Sequence, residues 1–81
     1  MVNIPKEGST VLRMVREAKG LTIQDVSRTS KVPENTLYGI EVGKSGVNAK
    51  RAEAISLCLQ EPLEYLFEPN TYSPKKRMKD R

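Results

Sequence analysis

Residues 22–43, TIQDVSRTSKVPENTLYGIEVG, carry two short helical patterns joined by a tight bend. Thr22-Ile23-Gln24-Asp25 has the form of a capping box. The Thr22 hydroxyl can accept from the backbone N–H of residue 25, and the Asp25 carboxylate can reach back to the start of the helix. Ile23, Val26 and Ser27 then face inward, and the helix runs to Thr29 or Ser30. Ser27 is small enough for a close crossing of two helices. Ser30-Lys31-Val32 forms the bend, with Val32 buried between the helices. Pro33 starts the second helix, where its missing N–H costs nothing and its φ is already set. The residue before a proline is biased away from α, which places the break at Val32. Leu37, Ile40 and Glu41 form the inward stripe. Glu34, Asn35, Tyr38 and Gly39 share the opposite side, at i, i+1, i+4 and i+5.

Two helices this short cannot bury their apolar faces against each other alone, so the flanking sequence must complete the core. Upstream, Ser9 or Thr10 is a candidate N-cap, and Leu12, Val15 and Ala18 recur at helical spacing. Lys19-Gly20 closes that helix with a cation and then a glycine free to take positive φ. Downstream, Val42–Val47 reads as a loop, and Asn48 as the N-cap of a fourth helix. Its inner stripe is Ala49, Ala52, Ile55, Ser56 and Leu59. Pro62 begins a short fifth helix carrying Leu63, Leu66 and Phe67, ended by Glu68-Pro69. The expectation is an all-α, five-helix domain over residues 9–68. It is flanked by a flexible arm, 1–8, and a basic, disordered tail, 69–81.

Composition narrows the function classes. The chain has 81 residues, enough for one domain with a small core. It has one cysteine, Cys58, and no histidine. That removes nearly every zinc site and every Cys/His or Ser/His catalytic pair, so neither a metal nor a cofactor is expected. An enzyme would have to work without a histidine base or an acidic pair at a recognisable motif spacing. No run approaches the ~18 apolar residues of a membrane span. The N-terminus lacks a signal-peptide h-region, so a cytoplasmic location without membrane association is expected. The net charge of +4 is unevenly placed. Residues 1–68 hold nine Lys/Arg and nine Asp/Glu, so the excess lies in the last thirteen, PNTYSPKKRMKDR. Overall charge therefore says little about the domain, and the placement of individual charges has to decide.

Residues ~9–67 resemble the Cro/phage-repressor (Xre-type) helix-turn-helix family, whose fold is the lambda-repressor-like five-helix domain. The resemblance is carried by Leu12, Val15 and Arg16, then by Gly20-Leu21-Thr22. It continues through Val26, Ser27, Val32, Thr36, Leu37 and Ile40. Glu41-Val42-Gly43-Lys44 is similar to the family's Glu-Asn-Gly-Lys, and Ile55, Leu59, Leu63, Leu66 and Phe67 follow at family spacing. The resemblance implies a buried ion pair between Arg16 and Glu41. The chain departs from the family at four places. Lys31 replaces the turn glycine, Pro33 the Ser/Thr cap and Val42 the asparagine, and Gly39 interrupts the recognition helix.

What the resemblance implies is a transcriptional regulator, a repressor of phage or mobile-element type, with the second helix of the pair in the major groove of double-stranded DNA. Base reading would fall to Glu34, Asn35, Tyr38 and Gly39. Asparagine can pair with both adenine N6 and N7, and glutamate can accept from cytosine N4. Phosphates would be met by the backbone N–H groups of Thr22, Ile23 and Gln24 at a helix start, by the side chains of Gln24 and Thr36, and by Lys31 and Lys44. A homodimer on DNA is expected, with Leu63, Tyr65 and Phe67 as candidate contacts. The alternative is a protein-interaction module of the same fold, binding a toxin or another regulator. The neutral charge of residues 1–68, Glu34 and Gly39 keep it open.

Overall fold

The computed structural model describes residues 10–76. The expected arm, 1–8, and the last residues of the basic tail lie outside them. The expected all-α architecture is present. Five helices follow in order: α1 (Val11–Ala18), α2 (Ile23–Ser30), α3 (Glu34–Glu41), α4 (Ala49–Leu59) and α5 (Leu63–Leu66). Each start has a local cause. Thr10 Oγ1 accepts from Arg13 N–H at 3.3 Å to cap α1. Thr22 and Asp25 exchange both capping-box bonds, at 3.0 and 2.9 Å, to start α2. Asn48 Oδ1 accepts from Arg51 N–H at 2.8 Å to start α4.

Pro33 and Pro62 sit one position earlier than the sequence suggests. Each is the N-cap, with ψ of 147° and 144°, and the first helical residues are Glu34 and Leu63. The physical reason is unchanged, since an N-cap also needs no N–H donor. Its carbonyl is what the helix uses: Leu37 N–H donates to Pro33 O at 2.9 Å.

One cluster forms the core: Leu12 and Val15 of α1, Val26 of α2, Val32 of the bend, Leu37 and Ile40 of α3, Ala52, Ile55 and Leu59 of α4, and Leu66 and Phe67. Each large side chain here stabilises the fold by about 1.5–3 kcal/mol on burial. α2 packs on both α3 and α4, while α1 packs on α5. Ala18 and Ala49, read from spacing as inward, are exposed. Both lie at helix ends, where the stripe runs past the edge of the core.

The C-terminal segment differs from expectation. Phe67 leaves α5 with extended backbone and forms an isolated antiparallel bridge with Pro74. Residues 69–76, expected to begin a disordered tail, turn back onto the domain. Tyr72 takes positive φ in the turn and packs against the core. Lys75 N–H then donates to Leu66 O at 3.0 Å, Val11 N–H donates to Lys75 O at 2.9 Å, and Lys76 bridges Thr10. Backbone pairing orders a stretch whose side chains give it no apolar period.

Candidate nucleic-acid interface

The bend between α2 and α3 is built from hydroxyls. Ser27 Oγ donates to Val32 O at 2.6 Å. Buried Ser30 Oγ donates to Val26 O at 2.7 Å and accepts from Val32 N–H at 3.3 Å. These bonds satisfy both backbone groups of Val32, whose side chain is in the core. Ser27 therefore does more than leave space for a helix crossing. Lys31 takes the left-handed conformation, φ 68°, and its N–H donates to Ser27 O at 2.8 Å. A lysine here pays the steric cost a glycine would avoid, and its ammonium projects from an exposed residue between the two helices.

α3 is fixed from behind. Leu37 and Ile40 are fully enclosed, and Glu41 ends the helix with its side chain 3% exposed. Arg16 Nε and Nη2 donate to the two Glu41 carboxylate oxygens at 2.5 and 3.0 Å, and Nη1 donates to Leu21 O at 2.6 Å. The fork and the carboxylate thus answer each other out of water. Thr10 adds a second tie. Its Oγ1 donates to the Glu41 backbone O at 2.8 Å, joining the start of α1 to the end of α3. The sequence marks Thr10 as a cap but carries no local signal of this non-local bond.

With that face anchored, Glu34, Asn35 and Tyr38 project outward, and all three are exposed. Thr36 is half-buried at the flank. Gly39 does not belong with the outward group. It is half-buried, and a Cβ there would lie 2.7 Å from Ser45 Oγ. Its carbonyl accepts from the N–H groups of Lys44 and Ser45 at 2.9 and 3.1 Å. The glycine lets the loop after α3 fold against the helix; the close approach is by the protein's own chain.

The start of α2 is also narrower than expected. The Thr22 N–H is taken by Asp25, which leaves Ile23 and Gln24 as the open donors. Hydrogen bonds from the Thr22 backbone N–H first, and its side chain second, hold the Asp25 carboxyl below its usual range. A charged Asp25 therefore occupies the terminus that would otherwise attract an anion. Lys44 is exposed on the loop beyond α3, and Lys31 on the bend before it, so exposed cations bracket the outer face of α3 at both ends. Phe67, a candidate dimer contact by sequence, is in the core; Leu63 packs partly against it, and Tyr65 stands 45% exposed.

Among the described residues no helix is long and apolar enough to cross a membrane. Comparison with curated proteins and with solved structures finds no match. A family model described as Helix-turn-helix matches residues 12–66, the span from the first core residue of α1 to the last of α5. That span is more than half of the chain, and the chain belongs to the Cro/Xre-type helix-turn-helix family, a family of DNA-binding transcription regulators.

Proposed function

We propose that this protein is a sequence-specific DNA-binding regulator, a repressor of phage or mobile-element type, that reads the major groove with α3. The observation that carries the reading is the two-sidedness of α3. Leu37, Ile40 and Glu41 lock one face into the domain, while Glu34, Asn35 and Tyr38 stand free on the other. A helix held this rigidly can present amide and carboxylate groups to base edges at fixed register. Lys31 and Lys44 at its two ends, with the open amides of Ile23 and Gln24 and the side chains of Gln24 and Thr36, would meet phosphates. Gly39 brings no side chain to this face, and its Cβ direction meets Ser45 Oγ, so side-chain reading rests on Glu34, Asn35 and Tyr38. A domain of this size reads few base pairs, so binding as a homodimer to half-sites about 34 Å apart completes the proposal. Exposed Tyr65 is the residue of α5 best placed for the dimer contact.

Selection of sites from a random duplex library tests this directly. The expected result is an enriched motif. Asn35→Ala should then relax preference at one base pair, at a cost of ~1–3 kcal/mol of discrimination. Recovery of unenriched sequence from the library would overturn the reading.

A second reading is favoured by one specific observation: the outer face of α3 presents the carboxylate of exposed Glu34 and no cation. An exposed tyrosine beside Glu34 suits a basic protein partner, such as a toxin or another regulator. A partner whose binding protects Tyr38, with no duplex selection, would establish that alternative.

A further inference from the structure

Beside the C-terminal end of α3 lies a cleft of about 380 Å³ between the loop after α3 and the returning segment 73–76. Its walls carry Lys44 and Ser45 on one side and Ser73 and Lys76 on the other. Among the described residues no carboxylate lines it. This contrasts with residues 1–68, where cations and anions are equal in number. The cleft is also placed by backbone geometry. Lys76 bridges Thr10, and the Thr10 hydroxyl donates to Glu41 O at the end of α3. The N–H groups of Gly43, Lys44 and Ser45 are spent on the Ile40 and Gly39 carbonyls. The side-chain donors left to a ligand are therefore two ammonium groups and two hydroxyls, a set suited to a phosphate oxyanion.

We propose that this cleft seats one backbone phosphodiester of duplex DNA, held jointly by Lys44 and Lys76. The inference rests on the DNA-binding reading above and adds to it a contact from outside the matched region. It gives the returning segment a role: the segment carries a second lysine to the phosphate reached by the loop after α3. When α3 lies in the major groove, the chain leaving its end runs beside a sugar-phosphate strand. The competing explanation is that the two lysines only complement the C-terminal end of α3, whose last turn has no cation of its own.

The slope of log affinity against log salt separates these, measured on the full chain with a duplex from the library selection. A neutralised phosphate contributes about 0.9 to that slope. Lys44→Gln and Lys76→Gln each weaken binding to selected and unrelated duplexes alike, because a phosphate contact carries no sequence information. The double variant flattens the slope by about one, as for a single shared phosphate. The affinity lost between about 50 and 200 mM salt then shrinks about threefold. Lys19→Gln, which removes a charge at the far end of α1, leaves the slope unchanged. Both cleft lysines are exposed, and circular dichroism checks that the variants remain folded.

An affinity unchanged in Lys76→Gln, or a slope unchanged in the double variant, overturns the proposal, with or without a lowered Tm. A double-variant loss of about two also overturns it, since each lysine would then meet its own phosphate. Inorganic phosphate that competes at millimolar concentration with wild type, and equally with the double variant, points to a different anion site and overturns it too. In all these cases wild type still binds the selected duplex, so the DNA-binding reading stands. Wild type that binds no duplex overturns both.

Discussion

The Glu41 carboxylate is almost wholly enclosed, and a single guanidinium answers its charge. Burying an ion pair costs desolvation of both partners, so the pair as a whole contributes little stability against a well-packed apolar replacement. Removing one partner is different, because the other is left buried and unpaired. Arg16→Met is expected to lower unfolding free energy by ~3–5 kcal/mol, and Arg16→Met with Glu41→Leu to recover most of that loss. Urea titrations of the three proteins check it. A single-variant loss under about 1 kcal/mol would show that the Glu41 carboxylate finds other partners or water, and would sink the buried-pair reading. The pair also bears on function. Arg16 is held by Leu21 O as well, so the guanidinium fixes the end of α3 against the turn before α2. Loss of Arg16 should therefore weaken duplex binding even where the domain remains folded.

At the scale of one helix, α2 shows how a surface bond becomes a pH dependence. Asp25 accepts from the Thr22 N–H, and that bond is made by the charged carboxylate. Its pKa is lower folded than unfolded, so the stabilisation is complete above the unfolded value and is lost as pH falls through the folded one. Asp25→Asn cannot titrate. The Tm advantage of wild type over Asp25→Asn should hold at neutral pH and shrink below the usual carboxylate range near pH ~4. An advantage that stays constant in acid would assign it to packing. The caps of α1, α2 and α4 were legible in the sequence because capping joins residues three positions apart, so the residue types reveal the bond. The same holds for Val32 and for the stripe of α3, where apolar period and burial coincide. The Gly39 contact leaves no such signal, because its partner, Ser45, lies beyond the helix in a loop with no period. Ser30 was passed over for a similar reason: its two bonds close a turn and leave no pattern in the chain.

Across the whole molecule, the two ends of the described chain meet. Val11 N–H donates to Lys75 O, and Lys75 N–H donates to Leu66 O, so the returning segment is held between α1 and the end of α5. Residues 69–76 are polar and contain two prolines, a composition that reads as disorder, because backbone pairing leaves no mark in side-chain hydropathy. Their contribution can be measured. A chain ending at Lys76 keeps both bonds, the further ones from Glu68 N–H to Ser73 O and from Tyr72 N–H to Glu68 O, and the half-buried packing of Tyr72, whereas a chain ending at Pro69 loses them all. After the entropy of ordering the segment, these backbone bonds and one half-buried aromatic leave a net of about 1–3 kcal/mol. The shorter chain is expected to unfold at correspondingly lower urea concentration than the longer one, with the two otherwise sharing the same helical circular dichroism. Equal midpoints would mean that residues 70–76 rest on the domain without stabilising it. In that case Lys76 would have no fixed position beside α3, and a drop in salt slope on its removal would reflect a mobile charge rather than a seated one. The truncation pair therefore tests the scaffold on which the cleft depends, independently of any DNA.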